Sequence, residues 1–163
     1  MSTHVKSDNP NVIGLKHMAF AVNDADKALL SYSKFLCVPE DAPVIEYAKS
    51  RNRVAIFNLG GIEYQLCQSM DPDGRFASWI KERGGEGLHH ICYEVDNIET
   101  ALTHAQKNGG KLRECKACKV FGSHPHPEGY VAFLDNDAGG IEIEFMQVYT
   151  EAELDKYNAV KGI

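Results

Sequence analysis

Leu15-Lys16-His17-Met18-Ala19-Phe20-Ala21-Val22 returns 73 residues later as Leu88-His89-His90-Ile91-Cys92-Tyr93-Glu94-Val95. Both copies read Leu-x-His-apolar-x-aromatic-x-Val. A second pair follows in the same order: Gly60-Gly61-Ile62-Glu63-Tyr64-Gln65-Leu66 and, 79 residues on, Gly139-Gly140-Ile141-Glu142-Ile143-Glu144-Phe145. The two offsets nearly agree, so the chain carries an internal duplication, and this duplication decides the fold.

The segments between these anchors match as well. After Val22, apolar residues at Ala25, Ala28, Leu29, Tyr32, Phe35 and Leu36 keep helical spacing, with Asp24 as the N-cap. After Val95, Ile98, Ala101, Leu102 and Ala105 repeat the pattern; Asp96 and Glu99 read as a capping box, and Gly109-Gly110 closes the helix. Strand-like runs follow in each half: 44–48, 54–59 and 62–67, then 112–120, 130–134 and 141–146. Each half is therefore β-α-β-β-β, and the fold class is α+β. Residues 12–147 form one domain, with a first module over about 12–70 and a second over about 86–147. The connecting segment, residues 71–87, predicts a short helix burying Phe76, Trp79 and Ile80. A polar tail, 148–163, carries Thr150 and Glu153 as a second capping box.

Composition bounds the function. The 163 residues are 44% apolar and 25% charged, as in an ordinary globular protein. A net charge of −6 argues against a broad phosphate-binding face, hence against nucleic acid as a partner. No apolar run approaches a membrane span. Residues 1–11 are polar and carry no signal-type apolar stretch. Five scattered cysteines do not make a disulfide framework. A reduced, cytoplasmic protein with no membrane association is expected.

Strand alternation predicts where the polar residues point. His17 shares a face with Leu15, Ala19 and Ala21; the greasier Met18, Phe20 and Val22 face should pack on helices. His90 lies with Leu88, Cys92 and Glu94, and Gln65 with Glu63 and Cys67. Glu144 aligns with Gln65 through the repeat. His17, Gln65, His90 and Glu144 thus occupy equivalent positions turned the same way. A single strand histidine reads as a satisfied side chain. Two at repeat-equivalent positions, each matched by an oxygen donor, read as a metal site. Two imidazoles, an amide oxygen and a carboxylate suit an octahedral divalent ion such as Mn, Co, Ni, Fe or Zn, with two positions open.

The paired modules and the His…Gln…His…Glu order resemble the vicinal oxygen chelate superfamily, which includes glyoxalase I, extradiol dioxygenases and bleomycin-resistance proteins. The run from Phe76-Ala77-Ser78-Trp79-Ile80 to Gly85-Glu86-Gly87-Leu88-His89-His90-Ile91 is most similar to its methylmalonyl-CoA epimerase branch. The resemblance implies a curved mixed sheet around a metal site, and a homodimer. It also implies metal-assisted removal and return of a proton beside the carbonyl of a small substrate, possibly an acyl-CoA. His90 is selected as the ligand of the His-His pair, leaving His89 to pack on the helix side. Glu46, in Val44-Ile45-Glu46-Tyr47-Ala48, best matches the family's catalytic base, and Glu144 is its counterpart for the opposite proton transfer. Other expectations are a glyoxalase-like lyase or isomerase, or a bleomycin-resistance-like binding protein that needs no metal.

One segment departs from the epimerase pattern. Phe121-Gly122-Ser123-His124-Pro125-His126-Pro127 replaces a His-Pro-Lys-like run, and it reads as a Pro-stiffened surface loop whose histidines are alternative acids or bases. Cys115-x-x-Cys118 lacks a second cysteine pair and reads as two unrelated strand thiols. Lys49, Arg51, Arg53 and Lys119 are the candidate phosphate contacts for a CoA.

Overall fold

The computed structural model describes residues 10–135 and 139–161, so residues 1–9, 136–138 and 162–163 lie outside the described residues. The elements are β1 (Val12–Ala21), α1 (Ala25–Leu36), β2 (Val44–Tyr47), β3 (Asn52–Leu59), β4 (Ile62–Ser69), α2 (Arg75–Arg83), β5 (Gly87–Val95), α3 (Ile98–Lys107), β6 (Leu112–Arg113), β7 (His124–Pro125), β8 (Gly129–Leu134), β9 (Glu142–Val148) and α4 (Glu151–Lys161). The expected repeat is present in this order: β1-α1-β2-β3-β4, the linker helix α2, then β5-α3-β6-β8-β9. Among the described residues, β7 has no counterpart in the first half. No described helix is long and apolar enough to cross a membrane.

Two compact units are resolved, one of Leu15–Ile91 with Lys116–Cys118, the other of Cys92–Cys115 and the stretches before Leu15 and after Cys118. In the first unit the strands lie in the order β2-β3-β4-β1. β1 runs parallel to β4, while β4-β3 and β3-β2 are antiparallel, so the sheet is mixed. Helix α1 covers one face, where Val22, Ala25, Leu29, Ala55, Phe57 and Leu66 are buried with Phe20 and Tyr64 against them. The apolar alternation of β1 requires this arrangement. Asp24 caps the helix, accepting from the Lys27 N–H at 3.0 Å. Asp24→Ala is expected to cost about 1 kcal/mol, read as a lowered urea midpoint with an unchanged slope.

The opposite face is not bare. Phe76 and Ile80 of α2 fold onto Ala19, Ala21, Val54 and Cys67. The sequence reading left this face to the site alone; the apolar stripe of the linker helix needs burial and takes part of it. Ser69 anchors α2 by accepting from the N–H groups of Phe76 and Ala77, at 2.9 and 3.2 Å. Those are among the first amide donors of a helix whose own N-cap, Gly74, has no side chain to offer.

In the second unit β9, β8 and β6 are adjacent in that order, and β7 pairs with β8 beside β6. Val95, Ile98, Ala101, Leu102, Ala132 and Leu134 form the core beneath α3. The α3 cap is Asn97, not Asp96: its side chain accepts from the Thr100 N–H at 2.9 Å. Asp96 lies just past the end of β5, its N–H bonded to the Asn11 carbonyl at 3.2 Å, so the chain turns into the helix one residue later than expected. The predicted 112–120 strand is likewise cut short. After Arg113 the chain makes a six-residue turn, closed by Cys115 N–H to Val120 O at 2.9 Å and Lys119 N–H to Cys115 O at 2.7 Å.

Thr150 and Glu153 do form the expected capping box at the start of α4. Tyr157 of α4 packs on Tyr149, which packs on Tyr130. Burial, reinforced by the neighbouring phenols, pushes the Tyr149 hydroxyl up to about 12. The unfolded chain ionises nearer 10, so between those values the folded state holds one more proton and stability falls as pH rises. Tyr149→Phe is expected to flatten that alkaline decline in the melting temperature.

Candidate metal centre

β1 and β5 each bring one histidine to the same place. The Nε2 atoms of His17 and His90 are 3.4 Å apart, with the rings nearly perpendicular and both side chains buried. Ligand nitrogens about 2.0–2.1 Å from one metal stand about 3 Å apart when they are cis. Two ring nitrogens facing each other at this separation suit a shared cation better than each other.

The neighbouring residues prepare His90 for that role. His89 is 1% exposed, with its ring against Phe76 and Trp79 of α2. Its Nδ1 also lies 2.8 Å from His90 Nδ1. A proton on His90 Nδ1, donated to His89, leaves the lone pair on Nε2, where a metal needs it. This bond joins His89 to His90 beyond the packing expected from the sequence.

Gln65 lies on the correct face. Its register partner on β1 is Ala19, and His17 pairs with Glu63 two residues earlier, so Glu63, Gln65 and His17 share one side of the sheet. The Gln65 amide nitrogen donates to Glu63 Oε1 at 2.8 Å. That bond fixes the amide and directs its oxygen, the metal-binding end, away from Glu63. His17, Gln65 and His90 belong to the first unit.

Glu144 belongs to the second unit, on β9 opposite Phe133 of β8. It is 5% exposed, and Glu142, two residues before it on the same face, is also buried. Glu142 meets Arg113 at 3.0 Å, and that guanidinium lies over the Phe133 ring. A buried carboxylate demands a cationic partner. Arg113 serves Glu142 in that way.

Glu46 is placed elsewhere. The ladder pairs Glu46 with Arg53, and Arg53 with Gln68. Gln68 is three residues from Gln65, so this row lies on the opposite face, the one that α1 covers. Arg53 Nε is 3.2 Å from the Glu46 carboxylate, and its Nη1 is 2.8 Å from Asp26 of α1. Hairpin register, which the sequence left undefined, turns the Glu46 carboxylate, the expected catalytic base, away from Gln65 and His17. The candidate phosphate contacts are also committed in part. Arg51 holds Asp71 bidentately at 3.0 and 3.1 Å, which keeps the Asp71 carboxyl below its ordinary value.

The 121–127 segment is not a plain surface loop. His124 is 5% exposed and pairs with Val131 through β7. Its ring meets His126, and His126 meets Cys115. Cys115 is therefore not an isolated strand thiol. The available signal was Cys-x2-Cys-x5-His-x-His, read in the sequence as two separate features.

The profile of the Glyoxalase/Bleomycin resistance protein/Dioxygenase superfamily matches residues 16–124. The chain belongs to this superfamily. Within it, human mitochondrial methylmalonyl-CoA epimerase is 34% identical over 140 residues, covering 84% of this chain and 75% of that protein. An ethylmalonyl-CoA/methylmalonyl-CoA epimerase of Cereibacter sphaeroides is 29% identical over 135 residues, 82% of this chain and 97% of the relative. The crystal structure of methylmalonyl-CoA epimerase from Mycobacterium tuberculosis has the same fold, with a TM-score of 0.66 at 20% identity over 87% of this chain and 92% of that one. The α+β architecture of duplicated modules is thus the architecture of the superfamily. His17, Gln65 and His90 lie within the matched residues, and Glu144 follows in the second repeat.

Proposed function

We propose that this chain is a metal-dependent epimerase of methylmalonyl-CoA or a closely similar acyl-CoA, in which His17, Gln65, His90 and Glu144 hold the ion. The observation that carries this reading is the buried His17–His90 pair, with Nε2 atoms 3.4 Å apart on repeat-related strands. It is supported by relatives that are methylmalonyl-CoA epimerases along most of the chain.

Epimerisation breaks the C–H bond beside the thioester carbonyl and returns a proton to the other face of that carbon. A divalent ion supplies Lewis acidity toward the oxygen on which charge develops. The protein's own residues do the rest. His17 and His90 present neutral nitrogen donors, the latter with its tautomer set by His89. Gln65, oriented by Glu63, offers an oxygen without adding charge. Glu144 is the one ionisable oxygen donor of the four, and it carries the proton on one side of the substrate. Glu46, the other expected proton carrier, lies beside Arg53 on the α1 face. A homodimer and a cytoplasmic location belong to the same reading.

The decisive experiment follows the α-proton of methylmalonyl-CoA by NMR in D2O, with protein reconstituted with Co(II) or Mn(II). Loss of the signal at a catalytic rate, abolished by EDTA, is expected. No exchange with any divalent ion would remove this substrate from consideration.

A further inference from the structure

We propose that Cys115, His124 and His126 bind a zinc ion separate from the metal centre described above. The ligand atoms of Cys115, His124 and His126 all lie within 4.8 Å of one another. The two Nε2 atoms are 3.2 Å apart, and Cys115 Sγ is 3.8 Å from His126 Nε2. A tetrahedral ion with Zn–N of about 2.05 Å and Zn–S of about 2.3 Å sets these edges at about 3.3 and about 3.6 Å. The observed separations match that geometry to within about 0.2 Å.

Two further features point to a ligand. His124 Nδ1 lies 2.9 Å from the Gly122 carbonyl oxygen, which can only accept, so the ring proton sits on Nδ1 and the Nε2 lone pair faces His126. That is the arrangement of a metal-ligating histidine oriented by a backbone carbonyl. Both imidazoles also lie beside the Phe133 ring, at 6.2 and 6.4 Å between centroids, an apolar wall that limits water on that side.

The backbone explains why these residues meet. His124 and His126 are two apart in extended chain and so share a face. The Cys115–Val120 turn folds the chain back, with Lys119 in the left-handed region at φ 59°. A bulky residue adopts that conformation only at a cost. The Cys115 thiol loses its proton on binding. The ion would tie His124 and His126 to Cys115.

Cobalt substitution tests this on the intact chain. Co(II) added to metal-free, reduced protein should produce a thiolate-to-cobalt charge-transfer band and strong tetrahedral visible bands, saturating at one equivalent. Octahedral nitrogen and oxygen ligation gives neither. His90→Ala should keep these bands, whereas Cys115→Ser and His126→Ala should each lose them. No thiolate band in the unmodified protein at saturating Co(II) would overturn the proposal without recourse to any variant, as would an undiminished band in Cys115→Ser.

Discussion

His90→Ala should leave a folded protein that no longer holds Mn(II) and exchanges the substrate α-proton at least about 10³-fold more slowly. The magnitude follows from what the residue holds together. Lewis-acid stabilisation of developing oxygen charge is worth several kcal/mol, and each 1.36 kcal/mol is about tenfold in rate. His90 supplies one of two nitrogen donors and stands 3.4 Å from the other, so its loss leaves His17 without a partner to complete the chelate. Mn(II) is the right probe because it favours nitrogen and oxygen donors over thiolates, which keeps the Cys115 cluster out of the measurement. Metal content after gel filtration and exchange in D2O give the two readouts. His89→Ala is the companion variant. It keeps all four proposed ligands but removes the Nδ1 bond at 2.8 Å, and a supporting group of this kind typically contributes 10–100-fold in affinity. Undiminished Mn(II) in His90→Ala would dismiss the ligand assignment, and with it the explanation for the buried histidine pair.

The duplication made much of this legible before any coordinates. It placed His17 against His90 and set the order of strands and helices, because two copies of one pattern constrain each other. Asp24 and the Thr150–Glu153 box were readable because caps are local chemistry. What escaped the sequence depends on contacts across the sheet. The side of β2 on which Glu46 lies is set by the β2-β3 register, and a shift of one residue would have reversed it. Whether α2 covers the Ala19–Ala21 face depends on where a linker helix folds back, which its apolar stripe requires without specifying the target. The Cys115, His124 and His126 cluster falls where the two halves stop resembling each other. The repeat was silent there, and only the turn closed between Cys115 and Val120 brings its parts together.

Glu144→Gln should separate metal binding from proton transfer. The repeat supplies the reason: Gln65 holds the equivalent position in the first module, so an amide oxygen is an acceptable donor in this frame. The variant keeps an oxygen at the same reach and shape, and Mn(II) affinity is expected to fall by no more than about 100-fold. An amide takes up no proton near neutrality, however, so the general-base contribution of about 10²–10⁴ disappears from the exchange rate. Measured at saturating Mn(II), the loss should therefore persist where a simple weakening of metal binding would be rescued. Glu46→Gln is the contrasting variant. Its carboxylate lies on the α1 face beside Arg53, and substitution should leave exchange within about threefold, because an exposed ion pair of this kind is worth at most about 1 kcal/mol. If Glu46→Gln abolished exchange and Glu144→Gln did not, the proton would be travelling on the other side of the sheet, and the assignment of roles within β2 and β9 would have to be exchanged.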